Sequence, residues 1–255
     1  MSLPDAVIPC ARIVEQGDPD RFRTVMAAPV AARAALFPLY ALNIEVSRAP
    51  WVTQEAMIAE MRLQWWRDAL DEITEGRDVR KHEVTTPLAD VLAPDMARRM
   101  DETVAARRWD VYRDAFEDEA HFDQYLDQTA GHLMWTAAEL LGADAAQEAA
   151  VRSVALAAGL VTFFRAVPQL EAAGRIPLLD GTSVGVAALA RRIRLSVTMP
   201  RLARRARPAL WPALGAIRAL RQIESDPEMV VQDRLPTPVA PWRLSLAATT
   251  GHVML

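Results

Sequence analysis

Gly181-Thr182-Ser183-Val184-Gly185 sets a serine in the G-x-S-x-G pattern of a nucleophile elbow, and Asp226 and His252 follow in the chain order of a hydrolase triad. That pattern does chemistry only between a strand and a helix of an α/β sheet, where a sharp turn exposes the serine hydroxyl. This chain offers no set of strands to build such a sheet. The five residues therefore read as a Gly/Ser turn ahead of a helix starting at Val186. The four histidines are isolated, and no His or Cys pair stands at ligand spacing, which argues against a zinc site. His132, beside Gly131 on an apolar stretch, reads as a hydrogen-bonded core or cavity residue.

Charge offers a different chemistry. Between Arg191 and Arg207 stand seven arginines (191, 192, 194, 201, 204, 205 and 207) and no acid, whereas Asp110 to Asp127 holds seven acids against one arginine, Arg113. A single-sign face attracts partners of the opposite sign. Two readings stay open. The two stretches are solvated helix faces that pair with each other, or Arg191, Arg194, Arg201, Arg204 and Arg205 form a surface for membrane headgroups or another protein. Arg191, Arg194, Leu195 and the apolar residues between them make a partly amphipathic helix, suited to surface contact and not to insertion. The net charge of −4 and the few spaced aromatics argue against nucleic acid.

The elements that position these residues read as consecutive helices. Apolar spacing is three and four throughout, with no sustained alternation of period two, so the fold class is all-α. Helices are expected over Asp20–Met26, Pro29–Arg48, a third ending at Gly76 with Ile58, Met61, Trp65, Ala69 and Ile73 on its buried face, Asp95–Phe116, His121–Leu141, and one capped by Asp144 that runs to Val167. Pro168 is expected to end that helix, a loop to run to Gly185, and a helical region broken at Pro200, Pro208 and Pro212 to follow. The Pro-rich tail from Asp226 reads as extended. The chain is half apolar (51%) with 10 glycines, enough for a sizeable core. With no Ser/Gly-rich or charge-run linker, residues 1–255 read as one domain. Cys10 is the only cysteine and suits a reducing compartment. The opening residues lack a signal-peptide pattern. Uncharged runs such as Ser153–Phe164 fall short of the ~20 residues that span a bilayer. A cytoplasmic protein follows, with the membrane surface as a further place of contact. Lys81 is the only lysine, a bias that fits a GC-rich bacterial genome.

Arg62-Leu63-Gln64-Trp65-Trp66-Arg67-Asp68 is the rarest feature, because each of two adjacent indoles must bury a large ring and find a partner for its N–H. With Asp20-Arg21, Leu36-Phe37-Pro38-Leu39-Tyr40-Ala41, Thr129-Ala130-Gly131 and Gly174-Arg175-Ile176, it resembles the squalene/phytoene synthase family over most of the chain. The resemblance implies a helical bundle of the isoprenoid synthase (class I terpenoid synthase-like) type. It also implies a cavity whose lining would include Tyr40, Asn43, Ser47, Trp65, Trp66, Arg165 and Arg175. Active members hold a prenyl diphosphate there through magnesium and aspartate clusters on two helices, because Mg²⁺ wants oxygen ligands and stabilises the leaving diphosphate. Where the first cluster should stand, this chain has Ser47, Arg48 and Trp51. Where the second should stand, it has Ala166 and Leu170. Glu45, three residues before Arg48, reads as a structural helix pair.

Losing both clusters removes the charge that would hold the metal. The pattern is similar to the family's aspartate-lacking branch, which includes assembly factors for mitochondrial respiratory complex I. The leading expectation is thus a non-catalytic protein with no catalytic residue, no metal and no cofactor. It would bind a protein partner, or an apolar or prenyl ligand, and assist a membrane-associated complex. The alternative is a prenyltransferase condensing two prenyl diphosphates with Mg²⁺ on atypical ligands, for which Glu45, Asp68 and Asp127 are the candidates. The Tyr40 helix is expected to pack on the Trp65/Trp66 helix, since both apolar faces need a partner.

Overall fold

A computed structural model describes residues 3–53, 55–112, 114–236, 239–251 and 253, and among them there are helices and no strand. The chain packs as two compact units: residues 1–112 with 136–143 and 203–209, and residues 113–135 with 144–202 and 210–255. The helices in chain order are α1 (Ile8–Gly17), α2 (Pro19–Ala27), α3 (Val30–Arg48), α4 (Ala56–Thr74), α5 (Thr85–Ala89), α6 (Pro94–Ala106), α7 (Glu119–Leu126), α8 (His132–Leu140), α9 (Glu148–Ala172), α10 (Ser183–Ser196), α11 (Ala216–Ser225), α12 (Glu228–Val231) and α13 (Pro241–Thr250). The all-α expectation holds.

In the first unit, α1 lies on α3, with α2 and α5 beside it, and α4 lies on α6. The main contacts of the Tyr40 helix are thus with α1, α2 and α5, and those of the Trp65/Trp66 helix with α6, whereas the expected main contact was between the two. α4 is also rotated from its expected face. It buries Ala59, Leu63, Trp66, Ala69, Leu70 and Ile73, while Ile58 and Met61 are 40% and 67% exposed. The chosen face shared only Ala69 and Ile73 with the true one. Burying Leu63 and Trp66 in place of Ile58 and Met61 puts a larger side-chain pair out of water, and α4 packs on α6. Arg67 reinforces that contact with a two-pronged bond to Asp101, 2.7 and 2.9 Å. The helix expected to reach Phe116 ends instead at Ala106 and tightens into a 3₁₀ turn, Arg107–Asp110.

α1 was not expected. It buries Cys10 and Val14 completely. The Cys10 thiol donates to the Glu83 carbonyl at 3.3 Å, and burial pushes its pKa up to about 12; burial likewise raises Tyr40 to about 12. Both groups thus stay neutral in the folded state over a range in which the unfolded thiol ionises from about pH 8.5. Raised folded-state values mean that this contribution is complete below the unfolded values and is lost as pH rises towards 12. Folded protein at pH 8.5 should therefore resist iodoacetamide at Cys10 while denatured protein reacts. Equal labelling rates would refute the buried thiol.

In the second unit, α9 is central and meets α10, α11 and α12. Pro168 does not end it. The helix continues to Ala172, because one missing N–H is outweighed by Val167 and Leu170, buried at 0% and 4%, on either side. Gly174 then closes it, with φ +76° and its N–H on the Glu171 carbonyl at 2.8 Å, while the Arg175 N–H reaches the Leu170 carbonyl at 3.0 Å. Among the described residues, the stretch Ala145–Ala172 is long and apolar enough to cross a membrane by length and composition, and half of its most apolar part is buried. Counting uncharged residues alone misses it, since Arg152 and Arg165 bracket an apolar run.

One turn of π-helix, Asp127–Gly131, interrupts the single helix expected over His121–Leu141. Gly159 of α9 lets that turn approach, as a Cβ there would sit 2.5 Å from the Ala130 methyl. The tail is not extended either: α12 and α13 fold within it.

Candidate functional site

The family's two metal-bearing stretches fall in different units here. On α3, Tyr40 is 1% exposed, and the Arg21 guanidinium lies 4.8 Å over its ring, held by Asp18 at 3.0 Å. Asn43 and Ser47 are half-buried. The Ser47 hydroxyl donates back to the Ile44 carbonyl at 3.1 Å, and Arg48 is exposed with Glu45 at 3.8 Å. The Glu45 carboxylate thus faces an arginine, as its spacing implied.

On α4, Trp66 is core and Trp65 half-buried, with the rings edge-on at 4.8 Å. His82 meets both rings, at 5.2 and 5.4 Å. Arg80 lies 5.2 Å over the Trp65 ring, donates to the Trp65 carbonyl at 3.3 Å and grips Glu72 at 2.6 and 3.0 Å. That grip holds the Glu72 carboxyl below the usual carboxylate range. Sequence reasoning missed Arg80 and Glu72, whose separation of eight along the chain crosses a turn and leaves no periodic trace. Asp68 accepts from Gln64 at 2.7 Å and has Arg80 at 3.9 Å.

On α9, Phe164 is fully buried, Arg165 donates to the Pro236 carbonyl, and Ala166 is half-buried. Leu170 belongs to the apolar core. Arg175 is half-buried at the helix end. Asp127, the third substitute carboxylate, takes two bonds of 3.0 Å from Arg152, which also holds Glu148 at 2.8 Å.

Magnesium does not fit these residues. Ser47 has committed its hydroxyl, Arg48 repels a cation, Ala166 and Leu170 carry no donor, and Glu45, Asp68 and Asp127 each face a guanidinium. Among the described residues, no three His, Cys, Asp or Glu side chains converge where a metal ion could sit.

The serine pattern resolves into a helix start. Thr182 caps α10 by accepting the Gly185 N–H at 3.1 Å, and Asp180 accepts the Thr182 N–H at 2.9 Å; bonding to the Thr182 side chain first, and to its backbone second, lowers the Asp180 pKa. Asp226 pairs with Arg234 at 3.1 Å, and His252 lies outside the described residues.

The arginine stretch divides. Arg192 binds Asp123 through two contacts, 2.6 and 2.8 Å, so one arginine does pair with the acidic stretch. Arg194 and Arg191 share Glu224 of α11, at 2.7 and 3.7 Å. Arg201 is exposed and fixed through its backbone N–H to Gln147, while Arg204 and Arg205 are exposed, with the Arg205 guanidinium lying against Gly142. Within the acidic stretch Asp110 takes Arg107 at 3.1 Å, and Arg113 lies outside the described residues.

The sequence model for squalene/phytoene synthase matches residues 14–179. A curated Drosophila melanogaster protein, "NADH dehydrogenase (ubiquinone) complex I, assembly factor 6 homolog", is 30% identical over 166 residues, which are 62% of this chain and 50% of that protein. The assembly factor 6 proteins of Bos taurus and Homo sapiens are 22% and 21% identical, over 62% of this chain and 48% of each. The chain spans about half the length of these curated relatives. A crystal structure of a dehydrosqualene synthase in complex with ligand superposes with TM-score 0.74 at 14% identity, over 96% of this chain and 94% of that one, and so shares the fold.

Proposed function

The chain belongs to the squalene/phytoene synthase family, and from that premise we propose that it works without prenyl transfer, as a protein that helps assemble or stabilise a membrane-associated respiratory complex. The observation that carries this reading is the side-chain chemistry at Ser47, Arg48, Ala166 and Leu170, which leaves no carboxylate to hold the magnesium that the family's reaction needs. The named role of the relatives as complex I assembly factors supports the assembly half of the proposal. So does surplus apolar surface on the first unit. Met57, Ile58 and Met61 on α4 are 75%, 40% and 67% exposed, and Trp51 and Val52, just before α4 in the chain, are 45% and 48% exposed. Methionine-rich exposed surface suits protein contact. The proposed place of work is the cytoplasm, at the membrane that holds the complex, and the proposed role requires no metal or cofactor.

Deleting the gene in its native cell should lower assembled complex I several-fold on native gels, with restoration by the wild-type chain. Unchanged complex I would sink the assembly reading. Separately, purified protein given millimolar Mg²⁺ and farnesyl or geranylgeranyl diphosphate should show no turnover and no rise in melting temperature, whereas a ligand well above its Kd would add a few kcal/mol. Magnesium-dependent product would overturn the non-catalytic reading.

A further inference from the structure

Apart from the positions where the family holds its metal, α1, α2 and the start of α3 enclose a cleft of about 280 Å³ lined in part by Ile8, Ala11 and Glu15 of α1, Phe22 and Met26 of α2 and Phe37 of α3. Its floor is Phe37, fully buried, with the Phe22 ring 5.8 Å away. Its rim is apolar yet open, since Ile8 and Met26 are 37% and 43% exposed. Arg12 and Arg33 line the same space. Arg33 spends its Nε–H on the Ala28 carbonyl at 2.9 Å, which fixes the group and leaves its terminal nitrogens facing outward from that bond. Arg12 is exposed and makes no ion pair or hydrogen bond among the described residues. Glu15 is the one acid present, so the lining carries a net positive charge.

A concave apolar wall with a few convergent polar groups is the usual form of a small-ligand site. The sign of the charge selects the head, and the phenylalanine floor selects the tail. We propose that this cleft binds a medium-chain alkanoate, with the chain against Phe22 and Phe37 and the carboxylate at Arg33 and Arg12. A guanidinium already held by its Nε loses little freedom in gripping a carboxylate, and charge-assisted bonds of this kind are about twice as strong as neutral ones. The site is independent of the assembly reading: an alkanoate complex neither requires nor forbids a protein partner.

Calorimetric titration of the full chain with monomeric hexanoate, octanoate and decanoate tests it. Affinity should rise roughly fourfold per added methylene until the cleft is full. Decanol should bind at least tenfold more weakly than decanoate, and Arg33→Gln should bring decanoate down to the decanol value. Ala11→Phe, which fills the cleft, should abolish binding while the circular dichroism spectrum and melt stay those of the wild type. Phosphatidylserine vesicles should not displace decanoate. Absence of saturable decanoate binding, equal affinity for decanoate and decanol, or indifference to Arg33→Gln would overturn the proposal. Displacement by the vesicles would assign the cleft to a lipid surface instead and overturn it too.

Discussion

Leu170→Asp should destabilise the protein by about 3–5 kcal/mol, although it puts a carboxylate back where active family members carry one. Leu170 is 4% exposed, one turn beyond the fully buried Val167, in the last turns of α9. The variant loses apolar burial and places a carboxylate at a position that is 4% exposed. Its carboxyl would respond with a raised pKa. By linkage, the penalty is largest above that value and shrinks as pH falls through it. Ser47→Asp sits on a half-buried surface and should cost less than about 1 kcal/mol. Urea unfolding followed by circular dichroism at pH 7.5 and pH 4.5 compares the two. A Leu170→Asp variant as stable as the wild type at both values would mean that the position opens onto water or a polar cavity, and the argument that this helix has exchanged metal chemistry for core packing would fall.

Much of the bundle was legible because helix signals are local. Asp144 accepts the Ala146 N–H at 2.8 Å just ahead of α9, and Gly76, with φ +66°, follows the end of α4, as their types and places implied. What the sequence hid were choices made by tertiary contact. The apolar residues of α4 allow two neighbouring faces, and only the arrival of α6 decides for Leu63 and Trp66 over Ile58 and Met61. Pro168 signals a helix end locally, yet burial of its neighbours carries α9 past it. The π-turn at Asp127–Gly131 has no propensity signature. It depends on Gly159, a residue far along the chain, and on the bonds from Arg152 to Asp127.

The site shows the same division. The absence of carboxylates at Ser47, Arg48, Ala166 and Leu170 is readable in residue types alone, because no packing can give these side chains a carboxylate's charge. Of the substitutes, only Glu45 was readable, from its spacing before Arg48. Glu45, Asp68 and Asp127 could have converged on one point; each instead has an arginine, from its own helix, from a turn, or from α9. The arginine run likewise looked uniform, whereas Arg192 and Arg194 are held by Asp123 and Glu224 while Arg204 stays exposed. Charge runs report composition, and partners are set by which helices meet.

Trp66→Ala should cost about 3–5 kcal/mol, and Trp65→Ala clearly less, about 1–2 kcal/mol. The two indoles are adjacent in sequence and edge-on in space, but the helix turns one inward and one sideways. Trp66 is 6% exposed, on the buried stripe of α4 shared with Leu63 and Leu70, so its removal leaves a void in a close-packed core. Trp65 is half-buried, and what it loses is chiefly ring contact with His82 and the Arg80 guanidinium, the latter worth about 0.5–1 kcal/mol at exposed sites. Arg80 keeps Glu72 in either variant, which limits the damage at position 65 further. Trp66→Phe should recover more than half of the loss at position 66, since a ring still fills the space. Denaturant midpoints for the three variants decide the matter. Equal losses at 65 and 66, or a stable Trp66→Ala, would show that the tandem indoles are displayed towards a ligand and are not primarily packing residues.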